Sequence, residues 1–164
     1  MSQAQTSPGA TRGVLHLDVF GEGSWRTTQY HGQNLWGANI GGEVGLYRWL
    51  GVRGELDLTA PHGYMANRYQ LSEKDFFVGP IVKFRKGPFR PFGYALPGLT
   101  RIIYPTTNFH DTEVGITLGG GTDYAITNRL SVRPVDFRWI ADAIGAPPNR
   151  KEVSISAGLV LRVF

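Results

Sequence analysis

The sequence predicts an all-β fold: eight antiparallel strands closed into an up-and-down transmembrane β-barrel. Three observations carry this expectation. Apolar and ionic residues alternate with period two through nearly the whole chain, the connections between alternating runs are short and long by turns, and no segment of useful length has helical periodicity. The 164 residues suffice for one barrel domain over residues 14–164, preceded by a polar, proline-containing segment (residues 1–13) expected to be disordered.

In chain order, the first expected strand, Val14 to Trp25, sets Leu15, Leu17 and Val19 against His16, Asp18 and Glu22. After a polar loop, Asn34 to Tyr47 places Trp36, Ala38, Ile40, Val44 and Leu46 opposite Asn39, Gly41, Glu43 and Gly45. Val52 to Thr59 alternates most cleanly, with Val52, Leu56 and Leu58 opposite Arg53, Glu55 and Asp57. Lys74 to Arg85 has Phe76, Val78, Val82 and Phe84 on one face and Lys83 on the other. Arg90 to Tyr104 reads as a strand with Phe92, Tyr94 and Leu96 in the apolar row, though Pro91 and Pro97 cannot donate to a ladder. Glu113 to Ala141 is a hairpin in which Val114, Ile116 and Leu118, then Val135, Phe137 and Trp139, oppose Thr117, Asp123, Asp136 and Arg138. Glu152 to Phe164 closes the chain, with Arg162 among the serines and glycine of its polar row. Short connections near residues 48–51, 86–89 and 126–130 alternate with long ones near 26–33, 60–73, 105–112 and 142–151, the layout of a membrane barrel.

Alternation alone leaves open which face looks inward; three features favour an ionic interior over a solvated face of mixed charge. The apolar rows are aliphatic in mid-strand, with Trp36, Tyr47, Phe92, Tyr94 and Trp139 nearer the ends, where interfacial aromatics belong. The ionic rows are crowded with glycine and serine, which suits a narrow bore. Both signs of charge recur at similar depth in Glu43, Arg53, Glu55, Asp57, Lys83, Arg101, Asp136, Arg138 and Arg162, so a mutual network of lumen ion pairs is expected.

Composition removes several function classes. Cysteine is absent, so disulfides and thiolate metal sites are excluded, and the net charge of +4 is scattered without a run that reads as a nucleic-acid tract. Mean hydropathy is -0.18, and no apolar run reaches the ~20 residues of a spanning helix. The opening MSQAQTSPGATRG lacks the basic start and apolar core of a secretory signal, and a mature exported chain with an added Met1 is the expectation.

The stretches GGGTDYAITNRLSVRPVDFRW (residues 119–139), KGPFRPFGYALPG (residues 86–98) and AGLVLRVF (residues 157–164) resemble small bacterial outer-membrane β-barrel proteins of the OmpA-like transmembrane class. The resemblance implies residence in the bacterial outer membrane, periplasmic short turns and termini, and a monomer delivered by the outer-membrane assembly machinery. It also implies contact with outer-membrane lipids, lipopolysaccharide among them. The chain departs from the pattern at its end, where Phe164 shares parity with Arg162 rather than with the apolar row. A second resemblance, of Gly23-Ser24-Trp25 and Thr122-Asp123-Tyr124 to the signatures of lipocalins, implies a soluble carrier of a hydrophobic ligand.

Little chemistry is legible. The four histidines, at 16, 31, 62 and 110, lack the spacing of a paired metal site, so no metal, cofactor or nucleic acid is expected. A lipid-hydrolysing barrel would need His and Ser on the membrane-facing edge of adjacent strands. His16 is the sole histidine in an expected strand, and its parity points it inward with Asp18. Glu55 and Asp57 share a face as an acid-base pair would, but Arg53 and Arg138 make them members of an ion network. The run Gly119-Gly120-Gly121 continues as strand and opens no helix, so it is no phosphate cradle. Arg26, Arg68, Arg150 and Lys151, assigned to the long loops, are candidate contacts for lipopolysaccharide phosphates. The expectation is therefore a non-catalytic structural or surface-interaction barrel.

Overall fold

A computed structural model describes residues 15–27, 34–61, 72–104, 109–144 and 151–163 of the chain. The expected boundary at residue 13, His31, His62, Arg68, Arg150 and Phe164 lie outside the described residues. Eight strands run in order: β1 His16–Thr27, β2 Asn34–Gly45, β3 Leu50–Pro61, β4 Ser72–Lys83, β5 Phe89–Tyr104, β6 Phe109–Ala125, β7 Leu130–Ile144 and β8 Lys151–Arg162. Each pairs antiparallel with its sequence neighbour, and β1 also pairs with β8, so the sheet closes and has no free edge. No helix among the described residues is long and apolar enough to cross a membrane.

Several strands continue past the points where the hydrophobic alternation fades. Arg26 and Thr27 belong to β1 and Glu73 to β4, residues that the sequence assigns to loops. In a closed sheet a strand has a partner on both sides, so its ladder persists beyond the apolar rows. Prolines modulate β5 without ending it. Its ladder with β4 lapses between Phe77↔Gly98 and Ile81↔Tyr94, around Pro80 and Pro97, and resumes in unchanged register. Neither proline has an N–H to donate there.

Large inward side chains face glycine across the ladder. The registered pairs include Phe20↔Gly41, Glu22↔Gly158, Phe77↔Gly98, Phe92↔Gly121 and Tyr94↔Gly119. A Cβ at Gly119 would lie 2.5 Å from the Cζ and Oη of Tyr94, and one at Gly121 would lie 3.0 Å from the Cζ of Phe92. The missing side chain is the space into which the neighbouring ring lies down, as in the covering of strand glycines by cross-strand aromatics. The abundance of glycine thus follows from the narrowness of an eight-stranded bore.

Gly119→Ala also brings its methyl to 2.7 Å from the backbone oxygen of Phe137 and is expected to lower the unfolding free energy by about 1–3 kcal/mol. Gly21→Ala faces outward with nothing within 4 Å and is expected to change it by less than about 0.5 kcal/mol. Urea unfolding of both variants in lipid vesicles checks this, and equal losses would refute the space-filling role.

Candidate functional site

The alternation places charge inside. Asp18, Glu22 and Arg26 of β1, Glu43 of β2, Arg53, Glu55 and Asp57 of β3, Glu73 and Asp75 of β4, Asp123 of β6, Arg133, Asp136 and Arg138 of β7 and Glu152 of β8 are all buried. They form one connected network arranged in three levels along the bore.

At the short-turn end, Arg162 grips Asp18 with two hydrogen bonds, Nε to Oδ1 at 2.8 Å and Nη2 to Oδ2 at 3.1 Å. Lys83 pairs with Glu43 and, at 2.9 Å, with Asp123. In the middle, Arg133 donates to Glu22 at 2.7 Å, Glu43 at 2.8 Å and Asp123 at 2.6 Å. Arg53 donates to Glu55 and Asp136, both at 2.8 Å. The Tyr94 hydroxyl donates to the other oxygen of Asp136 at 2.7 Å. At the long-loop end, Arg138 meets Asp57 at 3.0 Å, and Arg26 meets Asp57, Asp75, Glu73 and Glu152 at 2.6–3.3 Å.

Aromatic rings fill the spaces between the middle guanidiniums. Arg53 lies 4.3 Å from the ring centroids of both Phe20 and Tyr94, and Arg133 lies 4.3 Å from Phe92 and 4.9 Å from Phe20. Phe92 and Tyr94 stack at 6.1 Å with 13° between their planes. A planar guanidinium accepts ring faces above and below while its edge serves carboxylates, which an ammonium cannot do.

Of the sequence-derived lumen residues, the structure brings Glu43, Arg53, Glu55, Asp57, Lys83, Asp136, Arg138 and Arg162 into this network. Arg101 is different: it is exposed on the outer face of β5, because the row facing the bore there is Phe92, Tyr94, Leu96 and Thr100. The same parity corrects two interfacial aromatics. Phe92 and Tyr94 are only 6% and 7% exposed and pack against Arg133 and Arg53 inside the bore. Trp36, at 57%, and Tyr47, at 63%, are exposed, and Trp139 lies half-buried on the outward row of β7. Arg26 is fully buried in the network instead of lying in a loop.

Sequence reading did not single out Arg133, because it shares parity with the apolar Val135. The ladders of β7 shift register between Arg133 and Asp136, a bulge holding Pro134 and Val135 outward, so that Arg133 and Asp136 both point inward. Pro134 is the signal, since proline inside a sheet marks an edge or a bulge.

The outer wall is the complement. Val19, Ile40, Val52, Leu58, Val78, Leu99, Leu118, Phe137, Ile155 and Leu159 are exposed in the mid-strand region. Aromatics flank them: Tyr47, Trp49, Phe84 and the edge-to-face pair Phe89–Tyr124 toward the short turns, Trp36 and Phe76 toward the long loops. The interval from Trp36 to Tyr47, at ~3.3 Å per residue and a tilt of ~45°, rises roughly 25 Å, the height of the apolar band of such barrels. An apolar ligand inside would meet carboxylates and guanidiniums, which contradicts the soluble-carrier reading. Trp25 lies on the outward row and Asp123 belongs to the ion network. Among the described residues no cluster of His, Cys, Asp and Glu suited to a metal ion is present.

Comparison of the fold with solved structures agrees with this inverted arrangement. The fold is that of small bacterial outer-membrane barrels. Neisserial surface protein A superposes with a TM-score of 0.69 at 15% identity, covering 90% of this chain and 96% of its own. The outer-membrane protein OprG of Pseudomonas aeruginosa gives 0.64 at 9% identity over 90% and 95%. The outer-membrane enzyme PagL gives 0.53 at 16% over 88% and 98%. No protein-family model matches the sequence, and no curated protein matches it significantly.

The network predicts unequal costs for its members. Arg53→Met takes the closest cation from buried Glu55 and Asp136, leaving them Arg138 at 3.4 Å and Arg133 at 3.7 Å, and is expected to cost about 3–5 kcal/mol of stability. Arg162→Met, whose side chain is partly solvated and whose buried partner Asp18 keeps Lys83 at 4.0 Å, is expected to cost less, about 1–2 kcal/mol. Urea unfolding midpoints in lipid vesicles measure both, and a costlier Arg162 variant would contradict the ranking.

Proposed function

We propose that this protein is an outer-membrane barrel whose bore is closed by its own ion pairs, and that it serves as a monomeric structural or surface-interaction element without catalysis. One observation carries the reading: the apolar rows face out and the ionic rows face in, the reverse of a water-soluble barrel. The barrel sits in the bacterial outer membrane, its apolar belt in lipid and its short turns on the periplasmic side. Two arginines, Arg53 and Arg133, and three aromatic rings occupy the middle of the bore, and an eight-stranded barrel has an interior only wide enough for side chains. Its partners are outer-membrane lipids, lipopolysaccharide included, and the machinery that inserts it.

Because the fold is shared with an outer-membrane enzyme, PagL, a second reading is catalysis on the same scaffold, with membrane lipid as the substrate. Against it stands His16, the histidine whose side chain is among the described residues, which lies 3.9 Å from Asp18 on the bore side of β1, away from acyl chains on the outer wall.

Purified protein folded into bilayers is expected to migrate differently before and after boiling and to show no steady single-channel steps in planar membranes. Incubation with lipid A is expected to leave its acyl-chain count unchanged by mass spectrometry. Loss of an acyl chain that survives His16→Ala would place catalysis elsewhere on the barrel, whereas solubility and monomeric behaviour without detergent would overturn the membrane reading.

A further inference from the structure

Among the described residues, the charged side chains on the outward rows of the strands are Lys74, Arg101 and Lys151, all cations and all at the long-loop end. Lys151 stands on β8 opposite Ala141. Lys74 and Arg101 are direct cross-strand partners on β4 and β5, and Arg101 is in turn the partner of Thr112 on β6. All three are exposed, so two cations and a hydroxyl form one rung across three neighbouring strands. Partners on such a rung have Cα atoms about 4.5–5.5 Å apart, within reach of a single tetrahedral anion.

Like charges placed directly opposite each other on a sheet face are destabilising. Neither Lys74 nor Arg101 has a carboxylate partner among the described residues, since Glu73 and Asp75 of β4 point into the bore and β5 carries no acid. The next rung toward mid-barrel is Phe76, Leu99 and Val114, all exposed and apolar. The donor rung therefore lies at the edge of the lipid belt, with a greasy path beneath it.

We propose that Lys74, Arg101 and Thr112 form a seat for the phosphate of a lipid A-type glycolipid, with acyl chains lying along Phe76, Leu99 and Val114. This rests on the outer-membrane reading above. Charge selects the occupant: two cations with no carboxylate partner among the described residues match a phosphate monoester, which carries about -1.5 to -2 near neutrality, better than the single charge of a phospholipid diester. The guanidinium adds two parallel donors, the ammonium a point charge and the threonine hydroxyl a further donor.

The test uses the folded protein in phosphatidylcholine nanodiscs, titrated with bisphosphorylated lipid A and, separately, with phosphatidylglycerol. The wild-type protein is expected to bind lipid A more tightly than phosphatidylglycerol. The double variant Lys74→Gln/Arg101→Gln is expected to weaken lipid A binding about thirtyfold, roughly fivefold for each cation at a headgroup surface. Its unfolding midpoint in phosphatidylcholine alone is expected to stay level or rise, because a like-charge contact is removed. Arg101→Glu, which gives Lys74 an internal partner, is expected to lose lipid A binding while keeping the folded gel band. Equal lipid A affinity in the wild type and the double variant would overturn the seat, and equal affinity for both lipids would overturn its assigned occupant. A chain that yields no folded band in bilayers would overturn the membrane reading itself, a failure visible before any titration.

Discussion

The structure depends on one constraint: charges removed from water must be matched in place. Born costs for isolated ions are large, and close pairing with saturated hydrogen bonding is what makes a buried ion tolerable. Arg53 and Arg133 meet this demand in two directions at once. Their edges reach carboxylates supplied by β1, β2, β3, β6 and β7, while their faces lie on rings from β1 and β5. Because each guanidinium gathers partners from several strands, it ties together segments far apart in sequence, such as Glu22 and Arg133. A barrel wall made only of neighbour-to-neighbour ladders acquires cross-braces this way.

The same constraint explains the outer wall. With most ionic groups consumed inside, the outward rows between the rims are left mainly to leucine, valine, isoleucine and aromatics, and the solvent around that belt has to be hydrocarbon. Two faces that would be inconsistent in water are consistent in a bilayer, and the likeness to outer-membrane barrels at 9–16% identity reflects shared patterning more than shared residues.

Much of this was legible in the sequence because most strands contrast sharply between parities. In β3, Arg53, Glu55 and Asp57 alternate with leucine and glycine, and no other assignment is reasonable. β5 has no such contrast: Phe92, Tyr94 and Leu96 oppose Pro91, Gly93, Ala95 and Pro97, all of them apolar or small. Bulk suggested that the rings face lipid, and that single inversion also carried Arg101 to the wrong side. The clue lay on the next strand, where Gly119 and Gly121 leave room inside for the two rings. Arg133 was hidden for another reason, since strict alternation fails across a bulge. Arg26 needed only the β1 parity extended two residues past Ser24, beyond the point where hydrophobicity stops marking the strand. The tertiary network sustains that segment, and pattern reading has no access to it.

The glycine-opposite-ring pairs have a consequence for assembly. A β5–β6 hairpin slipped by two residues in one direction would set Phe92 against Asp123, and in the other it would set Tyr94 against Thr117. At β1–β2 the same slip would bring Phe20 onto Asn39 or Glu43. Each misalignment keeps every side chain on its proper face, so hydrophobic pattern alone would not reject it. Steric notches matched to bulky teeth do reject it, and they give the closing sheet a vernier scale by which only one alignment of neighbouring strands is admitted.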